Sequence, residues 1–184
     1  MNKIIAVVGM CGSGKSVLCE YLEKKNYQKV YFGGVTINKL KEENILVTPD
    51  NEKMMRERLR SEYGMGAYAI ILLPKIKELL YNGDVVLDGL YSWDELMIIK
   101  KEIPELITIS MICDKKLRYE RLSKRVIRPF NYEDAVKRDL TEIENIRKAG
   151  PIAYADYYIF NNGNVEDVYN RMDEIFMEMS DTDE

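Results

Sequence analysis

The sequence predicts an α/β protein: a five-stranded parallel sheet with helices on both faces, in three layers. Three observations carry that prediction. Short apolar segments alternate with longer stretches of helical period, as parallel strands and their crossovers do. A chain of 184 residues is long enough for one domain with its own core. The 46% hydrophobic residues are dispersed, so no apolar run approaches the ~20 residues of a membrane span.

The first strand is Ile4–Val8, a continuous apolar run of the kind buried on both faces. Gly9-Met10-Cys11-Gly12-Ser13-Gly14-Lys15-Ser16 follows at once and fits the phosphate-loop pattern G-x-x-x-x-G-K-[ST]. Val17, Leu18, Tyr21 and Leu22 then fall on one face of a helix. Strand, glycine-rich turn and helix N-terminus together make an anion cradle, because glycines let the backbone wrap close to phosphates and the positive helix end points at them. Residues 9 and 11–17 form the candidate nucleotide-binding set. Lys15 is expected to reach the β- and γ-phosphates and the Ser16 hydroxyl to ligate Mg²⁺. Cys11 reads as a small filler rather than a reactive thiol, although a helix N-terminus lowers a thiol pKa.

The second strand is Lys29–Phe32. From Gly33 to Asp84 the chain makes a long excursion, read as a helix over about 51–63, a Gly64-Met65-Gly66 break, and a helix over 67–81. Such excursions over the carboxyl ends of strands are where α/β sheets hold ligands. Residues 33–83 are therefore an expected acceptor-binding arm, set into a core of 1–32 and 84–184. Arg56, Arg58 and Arg60 are candidates to grip an acceptor phosphate, or are ordinary exposed helix residues.

Val85–Asp88 is the third strand. Its terminal Asp88 suits an Mg²⁺-bound water or a substrate hydroxyl, and Gly89 leaves room for the ligand; a turn-capping aspartate is the plainer alternative. Ser92-Trp93-Asp94-Glu95 reads as a capping box opening a helix to about Lys101. The fourth strand is Ile107–Ile112. After it, Arg118, Arg121 and Arg125 fall at i, i+3 and i+7, one stripe of a helix, with Arg128 just beyond in a loop. Bidentate arginines suit oxygens whose charge rises during phosphoryl transfer; a solvated basic face is the alternative. Asn131 caps the next helix, with an expected apolar stripe of Val136, Leu140, Ile143 and Ile146. Arg138 there is either free for a phosphate or held by Asp134 or Glu142. Tyr157–Asn161 is the fifth strand, Asn164 caps the last helix, and Ser180 to Glu184 is an acidic, frayed end.

Composition closes off other chemistries. With no histidine there are no imidazole bases, Ser/His triads or His-based zinc sites. A net charge of −4 argues against nucleic acid as a partner. Three dispersed cysteines point to a reducing cytoplasm, and a strand starting at Ile4 leaves no room for a targeting peptide. Oligomeric state is not readable.

On Gly9–Ser16, on Val85-Val86-Leu87-Asp88-Gly89, on the Asp114–Arg125 stretch and on the close Ala155-Asp156-Tyr157-Tyr158-Ile159-Phe160-Asn161-Asn162-Gly163, the chain resembles the nucleotide-kinase branch of phosphate-loop proteins, most closely dephospho-CoA kinase and adenylate-kinase-like relatives. The resemblance spans nearly the whole chain. It implies a lid over the phosphates at about 126–134, Arg121 and Arg125 as lid-base arginines, and Arg138 as the arginine after the lid. It implies further that Asn161 to Gly163 lie near the adenine and that Asp88 is the acceptor-side aspartate. Arg128, Arg138, Arg56 and Arg60 complete the acceptor candidates. Where adenylate kinases carry Phe-Pro-Arg, this chain has Leu90-Tyr91-Ser92, with no arginine. Two functions follow: an ATP- and Mg²⁺-dependent phosphotransferase acting on dephospho-CoA, a nucleoside monophosphate or a nucleoside, or a nucleotide-binding regulatory NTPase without an acceptor. The long arm favours the first.

Overall fold

Burial of the first strand on both faces organises the molecule. In a computed structural model, which describes residues 2–181, the chain runs β1 (Ile4–Val8), α1 (Lys15–Lys24), β2 (Gln28–Tyr31), α2 (Gly34–Glu42), α3 (Pro49–Tyr63), α4 (Ala67–Asn82), β3 (Val85–Asp88), α5 (Trp93–Glu102), β4 (Ile107–Ile112), α6 (Lys115–Ser123), α7 (Tyr132–Glu144), α8 (Ala149–Ala153), β5 (Tyr157–Phe160) and α9 (Val165–Asp181). The strands pair in the order β2-β3-β1-β4-β5, all parallel. This is the expected three-layer α/β/α sheet of a phosphate-loop, kinase-like protein.

Successive side chains of a strand point to opposite faces. Ile4, Ala6 and Val8 therefore pack with Val30, Val85 and Leu87 against α2, α4 and α5. Ile5 and Val7 pack with Val86, Ile109 and Met111 against α1 and α9. Each of these buried Val, Leu, Ile and Met side chains is worth roughly 1.5–3 kcal/mol relative to exposure. Because β1 is central and parallel to both neighbours, its carboxyl end and that of β3 open at the same edge. Val7 is opposite Asp88 in register, which fixes Asp88 beside the glycine-rich loop.

Several boundaries differ from expectation. β2 starts and ends one residue early, and β5 ends at Phe160. Helix α2 has no sequence signal: Gly33-Gly34 reads as a turn and the following residues are largely polar. It forms because Val35 and Leu40 bury against the arm. α3 starts at Pro49, with Thr48 capping through the Asn51 N–H at 3.2 Å. The non-helical lid segment is 124–131, because α7 already begins at Tyr132, capped by Asn131. Residues 182–184 of the acidic end lie outside the described residues, and α9 continues to Asp181.

The largest correction concerns α7. Leu140 and Ile143 are about half exposed, whereas Ala135, Asp139 and Glu142 are buried. The helix turns a charged face inward because that face finds partners there: Arg118 for Asp139, and Lys148 with Arg138 for Glu142.

Candidate functional site

The loop after β1 is shaped by glycines where side chains have no room. Gly14 caps α1 in a left-handed conformation (φ 94°), and a Cβ there would collide with the Asn161 amide. Asn161, buried at the end of β5, donates from Nδ2 to the Ser13 carbonyl at 2.9 Å and so braces the loop. Gly12 (φ 82°) lies tight against α6: a Cβ would stand 3.0 Å from the Arg118 carbonyl. The first amides of α1 have no intrahelical acceptor, and the buried Ser13 Oγ has no partner among the described residues. Free amides, an orphaned hydroxyl and a lysine fit a polyphosphate.

Lys15, the first residue of α1, curls back so that Nζ donates to the carbonyls of Gly9 (2.9 Å) and Met10 (3.0 Å). Burial, reinforced by the nearby Lys148, lowers its pKa to about 8 against the opposing pull of Glu142, Cys11 and Asp88. Ser16 is exposed in the first turn, and Val17 packs beneath it. Asp88 ends β3 beside the loop, its carboxyl pushed up by burial and drawn down by Lys15 and Lys29. Gly89 follows in a left-handed turn. Among the described residues no cluster of three or more acids and cysteines forms a metal cage. Mg²⁺ needs none, since it keeps waters and binds through one or two protein groups plus phosphate oxygens; Ser16 and Asp88 are suitable donors.

The arginines divide into committed and uncommitted groups. Arg121 reaches Cys113 Sγ (3.3 Å) and Asn161 Oδ1 (3.5 Å), and Arg125, beyond the end of α6, reaches Cys11 Sγ at 3.9 Å. Neither is ion-paired to an acid among the described residues. Arg118 is different: only 6% exposed, it forks onto Asp139 (2.9 and 2.6 Å) and onto the Cys11 carbonyl (2.9 Å). The expected single stripe is thus split, with Arg118 bracing the loop from behind. Arg138 Nε is held by Glu142 at 2.9 Å, and Asp134 is not its partner.

In the arm, Arg58 pairs with Glu43 at the surface. Arg56 and lid residue Arg128 both meet Glu52, at 3.5 and 2.9 Å, which links lid to arm. Arg60 stacks its guanidinium 5.7 Å from the Tyr68 ring and leaves a buried Nε without a partner among the described residues. Gly163 is exposed in the turn after β5, next to Asp167.

Four neighbouring groups carry no motif that would single them out as functional. Glu142 accepts from the loop at the Cys11 N–H, Lys148 pairs with Glu142 and acts on Lys15, and Tyr91 lies under the Lys148 ammonium. Glu95 of the capping box, buried, has a pKa raised to about 7 despite N–H donors from Tyr91 and Ser92 at 2.7 and 3.0 Å. The readable signals were the capping box, for Glu95, and the Arg138–Glu142 i,i+4 spacing.

A family profile described as an AAA domain matches residues 5–147. A UPF0200 protein of Thermococcus kodakarensis is 33% identical over 169 residues, covering 89% of this chain and 91% of the relative. Another, from Methanocaldococcus jannaschii, is 33% identical over 179 residues, covering 96% and 90%. Among solved structures, a shikimate kinase from Bacteroides thetaiotaomicron superposes with a TM-score of 0.61 at 14% identity, covering 96% of this chain and 99% of that one. A shikimate kinase from Acinetobacter baumannii in complex with shikimate gives 0.59 at 14% identity, covering 97% and 94%. At such identities the likeness concerns the fold. The relatives' names carry no activity, so the dephospho-CoA kinase resemblance bears only on the functional proposal. With its nucleotide-binding loop on a kinase-like sheet, and with near-complete coverage of these relatives, the chain belongs to the UPF0200 family and to the AAA-domain group of phosphate-loop proteins.

Proposed function

We propose that this protein is an ATP- and Mg²⁺-dependent phosphotransferase acting on a nucleotide-like small molecule. One observation carries the proposal: Lys15 of the loop, Arg121, which reaches the loop-bracing Asn161, and Arg125, which reaches Cys11 Sγ, have no ion pair to an acid among the described residues. A simple nucleotide binder needs the loop; phosphoryl transfer needs extra fixed positive charge where the transition state spreads its own. The acceptor hydroxyl attacks the γ-phosphorus, the bond to the β–γ bridging oxygen breaks, and ADP leaves with that electron pair. Asp88 orients the hydroxyl and takes its proton, a role its raised carboxyl pKa suits. Ser16 and Asp88 would hold Mg²⁺, which would supply charge neutralisation for the phosphates. Lys15 and the lid arginines would follow the migrating charge, and Arg56, Arg60, Arg128 and Arg138 would grip an anionic acceptor, Arg56 and Arg128 by leaving Glu52 and Arg138 while held by Glu142.

An ADP-release assay over dephospho-CoA, nucleoside monophosphates, deoxynucleoside monophosphates and nucleosides tests this. One acceptor class should stimulate ADP release, and Lys15→Ala should abolish turnover while circular dichroism stays unchanged. ADP release identical with and without every acceptor would overturn the proposal in favour of a regulatory NTPase.

A further inference from the structure

Glu142 is buried to 1% side-chain exposure, yet three groups of opposite character converge on it. Its Oε1 accepts from Arg138 Nε at 2.9 Å. Its Oε2 pairs with Lys148 Nζ at 3.0 Å and accepts the N–H of Cys11, the third residue of the phosphate loop, at 3.2 Å. Lys148 is itself only 2% exposed. A buried charge is tolerated only with compensation, and here one carboxylate serves two cations. Lys15 stands close by with carbonyls as its only hydrogen-bond partners among the described residues. Asp88 faces the group from β3 and Glu95 from α5, but neither comes within ion-pair distance of Lys15 or Lys148. Among the described residues Glu142 is the one acid ion-paired in this group of three cations, two of which, Lys15 and Lys148, stand beside an anion-binding loop.

Lys148 is also held unusually firmly for a lysine. Arg147 adopts a left-handed turn (φ 56°), after which the Lys148 N–H donates to the Glu142 carbonyl at 3.0 Å. The ammonium then lies 5.1 Å above the Tyr91 ring. Backbone, carboxylate and aromatic face fix the head of a side chain that ordinarily carries much rotamer freedom. An ammonium has three N–H donors, and Glu142 is the only carboxylate in ion-pair range among the described residues. Through Glu142 the ammonium is tied to the Cys11 N–H of the loop, and through the Tyr91 ring to the turn that follows Asp88 and Gly89, so it stands between the loop and the carboxyl end of β3. That is where a γ-phosphate would pass from donor to acceptor, since the loop amides take the α- and β-phosphates.

We propose that Lys148 is a further phosphate-binding cation of this site, specific for the terminal phosphate of a nucleoside triphosphate, with Glu142 as the fixed counter-charge that positions it. The proposal rests on the kinase reading above and deepens it.

Binding measured by calorimetry separates this role from a structural one. The probes are ADP and a non-hydrolysable ATP analogue, each with Mg²⁺. Lys148→Met should weaken the triphosphate analogue about tenfold or more and shift ADP by no more than about twofold, since only the triphosphate loses a charge-assisted contact. A lysine that merely neutralises Glu142 would, when removed, disturb the Cys11 amide and weaken both ligands alike. Equal losses, or no loss for either ligand, overturn the proposal. Should Lys148→Met fail to fold around an unpaired Glu142, the double variant Lys148→Met/Glu142→Gln removes both charges and keeps an acceptor for Cys11. The same asymmetry is expected of it, and its absence is equally fatal. Wild-type protein that binds neither nucleotide would instead sink the kinase reading itself.

Discussion

Lys15 couples the loop to pH in a way that can be worked out in sign. Its native pKa of about 8 lies below the 10.5 of free lysine, first through burial and next through Lys148, with Glu142, Cys11 and Asp88 opposing. A bound polyphosphate favours the ammonium and raises that value, so above about pH 8 binding must take up a proton. Nucleotide affinity should therefore be flat with respect to this group below about pH 7 and fall above pH 8, approaching about tenfold per pH unit. The empty protein changes in the opposite direction: between about pH 8 and 10.5 the unfolded chain holds a proton that the native state has shed, so stability contributed by this group rises with pH. Calorimetry in buffers of different ionisation enthalpy would detect the proton uptake, and an unchanged affinity from about pH 7 to 9.5 would contradict the assignment. Lys15 and Asp88 were legible because each sits at a fixed offset from a glycine at a strand end. Lys148 was not. Nothing in Arg147-Lys148-Ala149 distinguishes a buried ammonium from a solvated one, since its partner is six residues away and its aromatic neighbour belongs to another element.

At the scale of elements, local signals held and facing directions did not. The capping box at Ser92 and the asparagine cap at Asn131 form as read, because their bonds close within three residues. The orientation of α7 escaped the sequence because Asp139 and Glu142 look solvent-facing until Arg118 and Lys148 are brought to them. The same tertiary pairing explains why the arginine stripe divides. Positions 118 and 121 are about 60° apart around a helix, enough to send one behind the loop and leave the other beside it. Arg118 joins α6, α7 and the loop in one contact set. Arg118→Ala would leave Asp139 with the Tyr119 hydroxyl at 3.0 Å and strand the Cys11 carbonyl. Breaking a buried pair from one side costs about 3–5 kcal/mol, so urea denaturation should show a loss of that order. Arg118→Met combined with Asp139→Leu should recover much of it, because the uncompensated charge is gone. A loss below about 1 kcal/mol for the single variant would mean that the pair is not what braces the loop.

Across the whole molecule, the sheet carries two excursions, lid and arm, and Glu52 links them. Glu52, near the start of α3, takes Arg128 from the lid at 2.9 Å and Arg56 from its own helix at 3.5 Å. Arg128 first, then Arg56, holds the Glu52 carboxyl below the usual range. Arg128 is well exposed, so the pair is screened by salt and worth at most about 1 kcal/mol to stability. Its consequence is geometric instead: it ties residues 124–131, which lack regular structure, to an arm that is itself an excursion from the sheet. Segments with few buried contacts open at low cost, and removing a tether lowers that cost for both sides together. Arg128→Ala should therefore leave the global unfolding midpoint within about 2 °C. Amide exchange should rise in 124–131 and in the first turns of α3, while the amides of β1 and β3 stay protected. Glu52→Gln should reproduce the pattern, and raising salt on the wild type should approach it, because all three weaken the same contact. Faster exchange in the lid alone, with α3 unmoved, would show that lid and arm move independently and that acceptor binding does not couple to closure through Glu52.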